Sequence, residues 1–199
     1  MAAASRLQRE LRELLKSASD DLGIHLEPDP TTLFRWRAVI QGPPGTPFEG
    51  GSFRLALTVP EGYPHQPPMA RFETPIFHPN IHFKTGEVCL DILKSKWTPA
   101  WGLLSTTQAI LALLSDPAAE SPLNCDAGNL LRAGDTAGFE ALARKYTLEL
   151  AQPPKSREAG AGAGGGAGAG DGGLWLVMAV LVLAGVALLY LRVQGVSVM

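Results

Sequence analysis

Cysteine is nearly absent from this 199-residue chain, where Cys89 and Cys125 are the only two. No CxxC pair and no Cys/His cluster has the spacing of a metal site, so no metal is expected. That scarcity also excludes a disulfide scaffold and fits a reducing compartment. The first sixteen residues are charged and lack the uninterrupted apolar core of a secretory signal, so the folded part is expected to face the cytosol. An excess of positive charge is missing as well. Of the 17 Lys+Arg and 19 Asp+Glu, only Arg192 and Asp171 lie beyond residue 158, leaving 16 against 18 and a formal charge of −2. With no basic field and no local run of like charge, nucleic acid is not an expected partner.

The chain carries strong local patterning. Residues 4–17 place Leu7, Leu11, Leu14 and Leu15 on one helical stripe and Arg6, Arg9, Arg12 and Lys16 on another. Short stretches with strand character follow at 24–26, 33–40, 53–59 and 69–72, separated by Pro and Gly clusters. Consecutive strands without intervening helices imply an antiparallel meander. The run PPGTPFEGG at 43–51 reads as a hairpin connection. GYPHQPP at 62–68 has too few free N–H donors for a central strand and is expected to cross the sheet edge. A helix is predicted at 105–114, with Ile110, Leu111, Leu113 and Leu114 buried and Asp116-Pro117 ending it. Helices at 126–132 and 135–151, with Asp126 and Asp135 as N-caps, complete an α+β domain over residues 1–153.

Beyond residue 153 the composition changes. Nine of the fifteen residues at 159–173 are Gly, so 154–173 reads as a flexible linker, and those fifteen residues alone have a root-mean-square reach of roughly 20 Å. Residues 174–191, LWLVMAVLVLAGVALLYL, are 18 uncharged positions with Trp175 and Tyr190 near the ends. That is the short limit of what crosses a hydrocarbon core about 30 Å thick, and the aromatic rings suit the two interfaces. A buried core helix is the alternative, but a domain already complete leaves no core for it to join. The span, followed by a short tail at 192–199, is expected to act as a C-terminal membrane anchor.

The chemistry is expected in the stretch 77–93, FHPNIHFKTGEVCLDIL, which places Cys89 nine residues after Asn80. A cysteine thiolate is a strong nucleophile even at low occupancy and can take up an acyl group as a thioester. Attack on that thioester creates an oxyanion, and a side-chain amide on a rigid turn can donate to it. Asn80 is the candidate. Each piece alone has a plainer reading: an isolated Cys is often an inert small hydrophobe, and Pro-Asn is often only a turn.

The order His78-Pro79-Asn80, then Cys89-Leu90-Asp91-Ile92-Leu93, then Trp97-Thr98-Pro99-Ala100 resembles the ubiquitin-conjugating enzyme family. The likeness continues through Gly42-Pro43, PFEGGSF at 47–53, YPHQPP at 63–68 and SPLN at 121–124, and covers residues 5–152. Within the family the nine-residue gap is one longer than the commonest spacing. With HFKTGEVCLDIL, WTPAW and SPLNCDAGNLLRAGD, it is most like the peroxisome-associated branch of plants and algae, to which the C-terminal span is an addition.

The resemblance implies that Cys89 accepts ubiquitin as a thioester from an activating enzyme and passes it on with a RING-type ligase. It implies no cofactor in this chain, since ATP is consumed by the activating enzyme. Asn80 would stabilise the oxyanion. His78 and Pro79 would hold the turn, and Asp91, Ser121 and Leu123 would border the thioester. The first helix, through Arg6, Arg9 and Arg12, would meet the activating enzyme, although a solvated basic face is the alternative. His65, Pro99 and Ala100 would face the ligase; the aromatic usual at the His65 position is missing. The implied substrate is the cycling peroxisomal import receptor.

Three other functions remain open from the residues. A tail-anchored conjugating enzyme of endoplasmic-reticulum quality control would share the span, but typically has Thr in place of His78. A catalytically inactive ubiquitin-binding scaffold would not need both Asn80 and Cys89. A cysteine protease with His78 or His82 as base lacks the local Cys-Gly-Ser-Cys-Trp signature.

Overall fold

The computed structural model describes residues 2–16, 23–118 and 122–152. The linker expected at 154–173, the span at 174–191, the tail at 192–199 and the position of Ser121 all lie outside the described residues. Among those that are described, no helix is long and apolar enough to cross a membrane.

Alternation of apolar and polar residues builds the centre of the fold. Strands β1 (Ile24–Asp29), β2 (Thr32–Gln41), β3 (Ser52–Thr58) and β4 (Met69–Phe72) pair in sequence order as an antiparallel meander. Side chains two apart share a face. Register therefore lines up Leu26, Ala38, Leu55 and Phe72 across all four strands, and Ile24, Ile40 and Phe53 beside them, all on the buried side. Opposite them Arg35, Arg37 and Gln41 point to solvent. One face of the sheet is thus committed to a core, and a slip of one residue would expose it.

Helix α1 (Ala2–Leu14) buries Leu7 and Leu11, but Leu15, expected on the same stripe, follows the helix end and is 56% exposed. Helix α2 (Leu103–Ser115) buries Leu103, Ile110, Leu113 and Leu114, while Leu111 sits half-exposed, rotated off that face by the helical period. Helix α3 (Cys125–Arg132) is capped by Asn124, whose side chain accepts from the Ala127 N–H at 3.3 Å, and not by Asp126, which lies in the first turn. Its carboxylate there still faces the positive end of the helix. Helix α4 (Thr136–Leu150) has Asp135 as its N-cap, accepting from Gly138 N–H at 2.9 Å.

Between β4 and α2 the chain has almost no regular structure beyond a 3-10 turn at Asp91–Leu93 and isolated bridges. The bridges are what tie it down. Gly86, at φ 73°, receives a hydrogen bond from Phe72 N–H at 2.8 Å, which fastens the loop to the edge of β4. A side chain at 86 would collide with the Phe72 carbonyl, so only glycine permits this close approach.

Candidate active site

The turn at 78–80 is organised by a buried histidine. His78 is fully buried, with its ring against Phe48. Its Nδ1 accepts the Asn80 backbone N–H at 3.1 Å, so Nε2 carries the proton and donates to the Leu113 carbonyl at 3.0 Å. The first closes the turn on itself, and the second ties it to the last turn of α2. With both ring nitrogens engaged inside the core, His78 cannot serve as a base for Cys89. Burial drives its pKa down to about 4, the bond to Leu113 opposing this in part.

That depression makes stability pH-dependent with a definite sign. Between the ordinary histidine value near 6.5 and about 4, the unfolded chain binds a proton that the folded chain refuses, so stability is present above the upper value and falls as pH drops through the window. The expected loss at this group is about 2 kcal/mol between pH 7 and pH 5. Urea midpoints at the two pH values measure it, and His78→Gln should flatten the dependence over that range while lowering stability at pH 7. An unchanged slope in His78→Gln would assign the pH effect elsewhere.

Asn80 is also buried, and its amide is held at both ends: Nδ2 donates to Ala118 O at 2.7 Å, and Oδ1 accepts Ala118 N–H at 2.8 Å. An amide nitrogen carries two hydrogens, so one donor remains for a ligand. The backbone of the turn serves both flanks of the site. Asn80 O accepts the Cys89 N–H at 2.8 Å, and Pro79 O accepts Leu123 N–H at 2.8 Å and Asn124 N–H at 3.0 Å. Pro79, Asn80, Cys89 and Leu123 are thereby brought together from three separate segments, and the Cys89 thiol is half-exposed.

Asp91 stands in the 3-10 turn just after Cys89. Its carboxylate is exposed and paired with Lys96 at 2.7 Å, and that hydrogen bond, with the charges of Lys96 and Lys94, holds its pKa below the usual value. Lys94 instead reaches back to the Cys89 sulfur, its Nζ donating at 3.3 Å. Cys125 is exposed at the start of α3, beside a shallow cleft floored by Phe77 and Tyr146, whose rings stack at 5.6 Å. Among the described residues no group of His, Cys, Asp and Glu could hold a metal ion.

The surface residues divide. His65, Pro99 and Ala100 are exposed, and a 2.8 Å bond from Trp97 Nε1 to Pro64 O fastens their two loops together. Arg9 and Arg12 point outward from α1. Arg6 turns inward: its Nε pairs with Glu10 at 2.5 Å and its Nη2 donates to Trp101 O at 3.1 Å. Glu10 is the centre of that network, also accepting the Tyr63 hydroxyl at 2.6 Å and the Leu103 N–H at 2.8 Å. Burial, reinforced by the bond to Glu10, pushes the Tyr63 phenol well above its ordinary pKa, so it stays a donor. Neither Glu10 nor Lys94 stands out in the sequence as a site residue, because nothing local distinguishes them from other surface charges.

Comparison with known proteins agrees with this geometry. Residues 6–147 match the family model for the ubiquitin-conjugating enzyme. The chain is 54% identical over 154 residues to the Arabidopsis thaliana protein PEROXIN-4, covering 77% of this chain and 98% of that one. It is 53% identical over 144 residues to the Dictyostelium discoideum ubiquitin-conjugating enzyme E2 pex4, covering 72% and 96%. Among solved structures, the H. polymorpha ubiquitin-conjugating enzyme Pex4p, crystallised with the soluble domain of Pex22p, superimposes with a TM-score of 0.73 at 37% identity, covering 77% of this chain and all of that one.

Proposed function

Because the chain belongs to the ubiquitin-conjugating enzyme family, we propose that Cys89 is the thiol that carries ubiquitin and that the reaction is completed at the peroxisomal membrane. The observation that carries the first part is the placement of a half-exposed thiol on the backbone of the buried 78–80 turn. In charging, the Cys89 thiolate attacks the carbonyl of ubiquitin's C-terminal thioester on the activating enzyme, and the activating enzyme's sulfur leaves. In discharge, the acceptor's nucleophile attacks the new thioester, an oxyanion forms, and the bond to Cys89 breaks. The free N–H of the Asn80 amide would donate to that oxyanion, held in position by its two bonds to Ala118. His78 and Pro79 hold the turn, and Leu123, with Ser121 by the family resemblance alone, would border the thioester. Arg9 and Arg12 would meet the activating enzyme, and His65, Pro99 and Ala100 a RING-type ligase.

Two features support the peroxisomal assignment: the similarity to proteins named PEROXIN-4 and pex4, and the likeness to a Pex4p seen with the soluble domain of Pex22p. The substrate would be the cycling import receptor. Residues 174–191 would anchor the enzyme in the same chain that carries the thiol, with the catalytic domain in the cytosol. A Pex22-like partner is then an alternative means of recruitment.

The test has two arms. Full-length protein with ubiquitin, activating enzyme and ATP should form a single reductant-labile adduct, and no adduct would overturn the enzymatic reading. A fluorescent fusion of residues 155–199 should colocalise with peroxisomal markers. Reticular staining would favour the quality-control enzyme, and a diffuse signal would return anchoring to a separate partner.

A further inference from the structure

The loop after Cys89 places three charges within six residues, and their pairing is selective. Asp91, Lys94 and Lys96 all follow the thiol, yet the Asp91 carboxylate is occupied by Lys96 at 2.7 Å. Backbone bonds from the Lys94 and Lys96 N–H groups to Asp91 O, both 3.0 Å, close the turn that fixes this arrangement. Lys94 is left facing the reacting atom, with Nζ 3.3 Å from Cys89 Sγ. Of the described cations, it is the one with a hydrogen bond to that sulfur.

We propose that Lys94 is a catalytic residue whose ammonium stabilises negative charge on the Cys89 sulfur as it enters and leaves the thioester. The proposal rests on Cys89 being the ubiquitin-carrying thiol. In charging, the sulfur begins as a thiolate and loses its charge when the C–S bond forms. In discharge, that bond breaks and its electron pair returns to the sulfur. Between the two steps the thioester sulfur is neutral. An ammonium donating to Sγ therefore interacts more strongly with the sulfur in both transition states than with the neutral thioester, which is the condition for accelerating discharge. Asn80 and Lys94 would then divide the work, one donor for the carbonyl oxygen and one for the leaving sulfur.

The site is exposed, so solvent screens the pair and the contribution is modest. Lys94→Gln should slow single-turnover discharge of the charged full-length protein to hydroxylamine about fivefold, the scale of a favourable exposed charge pair. Hydroxylamine is uncharged at pH 7.5 and needs no ligase, so loss of a ligase contact cannot produce this result. Lys94→Arg should restore most of the rate, and raising the salt from 50 to 500 mM should narrow the gap between wild type and Lys94→Gln.

Equal rates for wild type and Lys94→Gln would overturn the proposal, as would Lys94→Arg being as slow as Lys94→Gln, which would mean packing and not charge. Peptide mapping of each charged variant guards the premise. Ubiquitin found on a residue other than Cys89 would refute the assignment of the thiol, whereas charging on Cys89 with a wild-type discharge rate in Lys94→Gln would refute the role of Lys94 alone.

Discussion

Replacing Cys89 by serine is expected to change the chemistry of the ubiquitin adduct and not merely its amount. The hydroxyl oxygen at 89 would give up its proton and form an oxyester, which survives reductant, whereas the wild-type thioester is cleaved by it. Cys89→Ala should form no adduct at all. The half-exposed position of the side chain means that neither change opens a large cavity, so folding should be retained and circular dichroism should match the wild type. Cys125→Ser is the necessary partner experiment, because Cys125 is the only other thiol and is the more exposed of the two. It should charge normally and remain reductant-labile. A Cys125→Ser protein that fails to charge with Cys89 intact would reverse the assignment.

Asn80→Ala is expected to slow discharge to an acceptor by about 100-fold, the scale reached when one oxyanion donor is removed at other acyl-transfer sites. Charging should suffer much less, since the activating enzyme contributes its own environment to that step. The structure adds a complication with a measurable signature. Removing the amide also breaks its two bonds to the Ala118 backbone, and because Ala118 is exposed and water can replace them in part, the expected cost is about 1 kcal/mol in stability. Thermal unfolding and the two kinetic steps therefore have to be read together. Equal losses in charging and discharge, alongside reduced stability, would make Asn80 a structural residue that only holds the loop.

The meander and its buried face were legible because strand periodicity is a local signal, carried by residues two apart. The same holds for the turn at 78–80 and its order relative to Cys89. What escaped the sequence was set by partners far along the chain. Arg6 reads as one more cation on a basic helical face, and only the fold brings it to Trp101 O, 95 residues away. Glu10 is similarly unremarkable until Tyr63 and Leu103 converge on it, from 53 and 93 residues away. At the start of α3 the expected cap, Asp126, falls in the first turn, and Asn124, whose N–H donates to the distant Pro79 O, caps the helix instead. Leu15 and Leu111 show the limit of an apolar residue as a burial signal: each lies beside a buried stripe, one past a helix end and one rotated away from the core.

Mapping the wild-type adduct tests, without any substitution, whether ubiquitin resides on Cys89. The charged full-length protein, digested under acidic conditions that preserve the thioester, should show the ubiquitin remnant on the peptide containing Cys89, with the peptide containing Cys125 unmodified and the adduct lost on reduction. A remnant on Cys125, or on a lysine with Cys89 free, would show that Cys89 is not the thiol that carries ubiquitin.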